Sequence, residues 1–347
     1  MKHIANFLSL IVLMMAATGC EHKELCLHHE HVDYSRLRVN VDWTDFLPFE
    51  TPTGMTVAMY PRDGKEPIVA LTNNIDYAVL SLPEGTYDML VYNQSISEFG
   101  SMHFSDMENF AESKVLGAAT SSRWYISRLP EETVIAQPEW LGLEVQTGLQ
   151  VTSRMVEKTN EYIAQSLGSR ADGDTVLTTA YPRNVISTLQ VNVHIKGIHN
   201  LRASRASITG MANGYMLGKN CPASGIATQL LETWSIEVDK ADPTQGVIKA
   251  LITSFGLPAG HAGEEDENEL MLSLLLVDGK TVLDFSFAVG DKFEYEEGLG
   301  THVRLALRLN LDLGTTLPDV KPEGGGSSGF DATIDDWGDE EDYDIGM

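Results

Sequence analysis

Basic residues and cysteines are scarce in this chain, and long hydrophobic runs are nearly absent. Its 347 residues carry 24 Lys and Arg against 50 Asp and Glu, a formal net charge of −26. So acidic a surface repels phosphate backbones and anionic headgroups, which excludes nucleic acid and electrostatic binding to anionic lipid. The cysteines are Cys20, Cys26 and Cys221. Cys26 and Cys221 lie far apart, so Cys221 reads as a lone packed thiol, with a Cys26 to Cys221 bridge as the alternative that an exported protein permits. The one long apolar run, Ile4 to Ala17, is too short to span a bilayer as a helix. Later apolar stretches alternate with polar residues or are broken by Gly and Pro, so no second membrane segment is expected.

Catalytic constellations are missing too. GGGSSG at 324–329 formally matches a phosphate-loop pattern and, from Gly325, a nucleophile-elbow pattern. Each needs a strand before it and a helix after it, and neither is expected there. His29-Glu30-His31 lacks the helical zinc spacing. His22, His28, His29 and His31 with Cys26 are dense enough to take up a metal as an unfolded peptide, but a polar tether explains the same residues. The tail acids Asp335, Asp336, Asp339, Glu340, Glu341 and Asp342 lack the spacing of a calcium loop. No nucleophile, base and orienting partner can be assembled, so no enzyme, cofactor or metal is expected.

What is present begins at the N-terminus. Lys2 and His3 precede the apolar run, the grammar of a signal peptide. Ala17-Thr18-Gly19-Cys20 resembles the lipobox of bacterial lipoproteins, in which small residues admit a peptidase that cuts before a cysteine whose thiol takes up diacylglycerol. On that resemblance residues 1–19 are removed, Cys20 carries lipid, and 20–33 form a polar tether. Such a chain is anchored to a membrane without spanning it.

The body reads as strands, because apolar residues recur at every second position and alternate side chains of a strand face opposite sides. Leu37, Val39, Val41 and Trp43 form one such set; Met55, Val57 and Met59 form another, before the turn Pro61-Arg62-Asp63-Gly64. Tyr87, Met89 and Val91 follow a Pro-Gly turn, and Leu189, Val191, Val193 and Ile195 and then Trp234, Ile236 and Val238 resume the pattern. Asp278-Gly279 between two apolar runs predicts a hairpin with a tight primed turn. Val303 to Leu313 is the longest alternation, with one face apolar and the other polar. Glu264, Glu265, Asp266, Glu267 and Glu269 read as a solvated loop. Ser105 with Glu108 suggests a capped short helix, and Ser153 to Leu167 a second. Turn residues at Gly168 to Asp174 mark a seam, which predicts an all-β chain of two sandwiches at 34–170 and 180–316. From Leu317 to Met347 ten acids stand against one lysine, −9, so 317–347 reads as a solvated acidic tail.

The order of the lipobox cysteine, the polar tether, VNVDW, VAMYPRDGKEP, LPEGTYDMLVYN, RASITGMANGY and TSFG resembles the fimbrillin-like lipoproteins of Gram-negative bacteria. The branch near the fimbrial anchor proteins, largely described as a domain of unknown function, is most similar. The resemblance implies two transthyretin-like Greek-key sandwiches, anchored through Cys20 to the outer membrane and exposed at the surface, in a fimbria-like assembly or in adhesion. It also implies partners among fimbrillin-like subunits by strand addition. After the linker at 324–329, Phe330, Ala332 and Ile334 alternate with polar residues before Trp337, the pattern of a donor strand; a disordered acidic end is the competing reading. A surface lipoprotein that binds glycan or host protein without building a fibre is the alternative function, with Trp124 and Trp140 as the expected sugar contacts.

Overall fold

The computed structural model describes residues 34–127, 131–158, 175–296 and 306–322. In the first half the strands are β1 (Tyr34–Val41), β2 (Met55–Pro61), β3 (Ile68–Thr72), β4 (Tyr77–Pro83), β5 (Gly85–Asn93), β6 (Met102–Ser105), β7 (Lys114–Gly117), β8 (Val134–Ile135), β9 (Gly142–Val151), β10 (Thr175–Ala180) and β11 (Arg183–Asn184). The second half continues with β12 (Ser187–Lys196), β13 (Leu201–Ala212), β14 (Gly214–Met216), β15 (Cys221–Pro222), β16 (Ile226–Leu231), β17 (Ser235–Val238), β18 (Gln245–Ser254), β19 (Glu269–Leu276), β20 (Val282–Ala288), β21 (Glu294–Glu296) and β22 (Ala306–Thr316).

Alternation becomes two sandwiches. In the first, the sheet β10-β1-β4 faces the sheet β11-β9-β5-β2-β3. Leu37, Val39, Leu80 and Leu82 from one side meet Met55, Val57, Met59, Met89 and Val91 from the other in a single core. In the second, β17-β18-β12-β22-β21 faces β20-β19-β13-β16-β8. Leu189, Val191, Val193, Leu307, Leu309 and Leu311 pack there against Ile208, Leu270, Leu272 and Leu274. Burying such side chains stabilises each sandwich by about 1.5–3 kcal/mol per residue.

A third core joins the two. The outer face of β2 and β5 carries Ala58, Tyr60, Leu90 and Tyr92, and these are buried against Val115, Tyr215, Leu217, Ala227 and Phe255. A four-stranded sheet, β15-β14-β7-β6, covers that face, two strands coming from each half of the chain. β2 and β5, read in the sequence as alternating strands, are therefore buried on both faces. Pairing also crosses the seam elsewhere: β8 joins β16 in parallel, while β10 and β11 bond back to β1 and β9. The first sandwich's sheets thus run on to Asn184, past the seam read at 168–174; residues 159–174 lie outside the described set.

Several local expectations change. Ser105 ends a strand and donates to the Asp106 carboxylate at 2.9 Å instead of capping a helix. Asp106 has φ 56°, which no α-helix accommodates. A short helix does cover 153–158, burying Val156. The hairpin β19–β20 forms, but only Gly279 is left-handed (φ 68°), and the loop is wider than a primed turn. The Asp278 carboxylate closes that loop by accepting Thr281 N at 2.9 Å and Thr281 Oγ1 at 2.6 Å. Ile236 and Val238, expected inside, are 38% and 39% exposed, because among the described residues β17 is an edge strand bonded only to β18. Trp234 is half-buried against the second core, whereas Trp43 is buried as expected. The Glu264–Glu267 region is a solvated 3-10 turn closed by a capping box.

Candidate assembly surface

The candidate surface is built from strand edges and a chain exit. Among the described residues β3 bonds only to β2, so its other edge carries free N–H and C=O groups. Its inward residues Ile68 and Ala70 pack on the first core, while Val69 and Leu71 are 56% and 61% exposed. β3 has no charged side chain to repel a neighbouring strand. A groove of about 460 Å³ opens beside its start, lined by Arg62, Lys65, Ile68, Glu84 and Tyr87. Arg62 is held there by Asp88 at 2.7 Å, which raises the guanidinium pKa through hydrogen bonding and charge, and Gly148 N–H donates to the same carboxylate at 2.9 Å.

The exit of the C-terminal segment is fastened. Leu317 is buried, and its N–H donates to Lys196 O at 2.9 Å. Asn200 Nδ2 donates to Asp319 Oδ1 at 3.0 Å, and His199 Nε2 lies 3.4 Å from the same oxygen. Those two side chains hold the Asp319 carboxyl below the usual range, the Asn200 bond contributing most. Gly197 makes the approach possible: its φ is 77°, and a Cβ there would fall 2.7 Å from Leu317 O.

The two tryptophans expected as sugar contacts have different partners. Trp124 is half-buried on the second sandwich. Its Nε1 donates to Glu232 at 2.6 Å, and the Arg205 guanidinium lies 4.8 Å from its ring centroid. Ser122 donates to the same Glu232 oxygen, and Tyr125 OH and Thr228 Oγ1 both donate to Glu132. Ser122, Trp124 and Glu132 are thereby tied to the second sandwich through two carboxylates, a feature that partners roughly 100 residues apart in sequence gave no local sign of. Trp140 packs on Phe49 with ring centroids 5.1 Å apart, beside both the first and the junction core. Cys221 is a free, half-buried thiol. Cys20, its lipobox Ala17, Thr18 and Gly19, the histidines of the tether, Cys26, the glycine linker and the strand candidates Phe330, Ala332, Ile334 and Trp337 all lie outside the described residues. Among the described residues no group of His, Cys, Asp and Glu is gathered as a metal site, and no helix is long and apolar enough to cross a membrane.

These features define an all-β protein of two fused sandwiches whose presented elements are strand edges and a pinned exit. A family model described as a domain of unknown function, DUF5119, matches residues 19–232, and the chain belongs to that family. A curated protein of Bacteroides ovatus, provisionally named fimbrium anchoring subunit Fim4B, is 21% identical over 361 residues, covering 98% of this chain and 97% of that one. A crystal structure of a provisionally assigned adhesin, also from Bacteroides ovatus, shares the fold with a TM-score of 0.53 at 16% identity, over 88% of this chain and 99% of that one. The fimbrial anchor protein Mfa2 of Porphyromonas gingivalis aligns with a TM-score of 0.46 at 10% identity, over 80% and 90%.

Proposed function

We propose that this protein is a non-enzymatic, lipid-anchored surface subunit that acts as an anchor or structural component of a fimbria-like assembly and in adhesion. The observation that carries the reading is the end-to-end match to the Fim4B protein, 98% of one chain against 97% of the other. The lipobox at 17–20 supports attachment through Cys20 to the outer membrane. The non-sequential neighbours in each sandwich, such as β12 beside β22, support a transthyretin-like Greek-key topology. The open, uncharged edge of β3 supports partnership with other subunits by strand addition. In this reading Phe330, Ala332, Ile334 and Trp337 form a donor strand that the linker at 324–329 lets reach a neighbour.

The test compares the native chain with Cys20→Ala by cell-surface proteolysis and by size analysis of gently extracted material. Surface-exposed wild type in high-mass material, with the variant released, is expected. An anchored wild type that is always monomeric removes the assembly role and leaves a lipoprotein that binds glycan or host protein. Deleting 324–347 without loss of high-mass material removes the donor role of the tail.

A further inference from the structure

The chain enters and leaves the body through interior strands. β1, which follows the tether, is bonded in parallel to β10 along Leu37–Val41 and antiparallel to β4 along Tyr34–Asn40. β22, from which the tail departs, is bonded in parallel to β12 from Thr188 to Lys196 and antiparallel to β21 over Ala306–Arg308, the end away from the tail. A terminal strand at a sheet edge is held by one ladder and can be peeled. One with both flanks bonded must break two ladders and expose its core side chains, here Leu37 and Val39 at one end and Leu307 and Leu309 at the other.

Beyond β22 the chain is held again, by Leu317 on Lys196 and by Asp319 on Asn200. Between the two ends, the sandwiches cannot part without opening the junction core and the four-stranded sheet to which both contribute. We infer that the fold is a tension-bearing link. Load applied to the tail passes through the 317–319 clasp, β22, the second core, the junction core and β1 to the tether, and neither terminal strand leaves its sheet without breaking two ladders. The source of the load rests on the function proposed above; the load path does not.

Single-molecule pulling on the full chain tests this, with handles at the two termini in one sample. In the other, handles are placed through Val69→Cys in β3 and Ile236→Cys in β17, with the native cysteines replaced by Ser. Both handle positions are exposed and lie on edge strands held by one ladder. At matched loading rate, rupture through the termini is expected at the higher force, because release of β1 or β22 breaks two ladders and opens a core. Equal or lower force through the termini overturns the inference. Leu309→Ala, which thins the core under β22, is expected to lower the terminal rupture force while leaving the edge-handled rupture in place; an equal fall in both also overturns it. The measurement uses purified chain and needs no lipid or fibre. A weak chain that still sits in a surface fibre therefore overturns the link alone, and a strong chain found in no fibre overturns the proposed function alone.

Discussion

Gly197 and Glu267 show how single residues set this fold. Gly197 is left-handed, so a side chain there costs about 1–2 kcal/mol from backbone conformation alone. The added Cβ would also press on Leu317 O. Gly197→Ala is expected to lower the denaturation midpoint and to free the segment after β22, which hydrogen exchange at Leu317 N–H would report. Glu267 acts through charge: its carboxylate accepts the N–H groups of Ala262, Gly263 and Glu264 at 2.7–3.0 Å, and those bonds, with Ala262 the largest contributor, hold its pKa below the usual range. A depressed carboxyl pKa contributes stability above its unfolded value, about pH 4.3, and that contribution is lost as pH falls through the folded value. Asp42, Asp106, Asp242, Asp278 and Asp319 are depressed in the same way, by hydrogen bonds from neighbouring side chains and backbone. Melting temperature should therefore hold from neutrality down to about pH 5, where the excess negative charge is also relieved, and fall steeply below about pH 4. Glu267→Gln is expected to lower stability at pH 7 and to flatten part of the acid limb; an unchanged limb would assign the acid loss to the other carboxylates.

At the scale of elements, β3 is an edge strand whose sequence lacks what an edge usually carries. Edges are blunted by charge, proline or bulges, and Ile68–Thr72 has none of these. Replacing Val69 and Leu71 together by Lys should leave melting within about 0.5 kcal/mol of wild type, since both side chains face solvent. High-mass assembly should nonetheless be lost if this edge accepts a partner's strand, and unchanged assembly would place the partner elsewhere. Strands with one solvated face were legible in the sequence: Leu189 to Ile195 and Leu307 to Leu313 are buried on the alternate positions that the pattern marks. β2 was legible as a strand but not as a doubly buried one, because Ala58 and Tyr60 look like ordinary solvent-side neighbours until a second sheet covers them. β8, two residues long and paired in parallel across the seam, carries no periodicity to read. The edge of β3 was visible as a sequence of apolar residues, but its open flank depends on which strands come to lie beside it. The proposed anchor at Cys20 is the opposite case, a motif read entirely from local residue types.

For the whole molecule the junction core decides whether there is one cooperative unit or two. Two sandwiches on a flexible linker would unfold independently, each with its own transition. Here Tyr60, Leu90, Tyr92 and Leu141 from the first half and Tyr215, Leu217 and Phe255 from the second are buried together, and Phe255 is fully enclosed. Their combined burial far exceeds the few kcal/mol that distinguish coupled from independent folding. Scanning calorimetry of the wild type should accordingly show a single transition whose calorimetric and van't Hoff enthalpies agree. Phe255→Ala removes about 3–5 kcal/mol from the junction while leaving the core of each sandwich intact. The expected result is a lower midpoint and a broadened or split endotherm, with the two halves melting apart. A variant that melts later or in one sharp step would mean that the woven strands β6, β7, β8, β10 and β11 hold the halves together without the junction core. Two transitions already present in wild type would mean that the halves fold independently, and a load passed from tail to tether would then open the molecule at its middle.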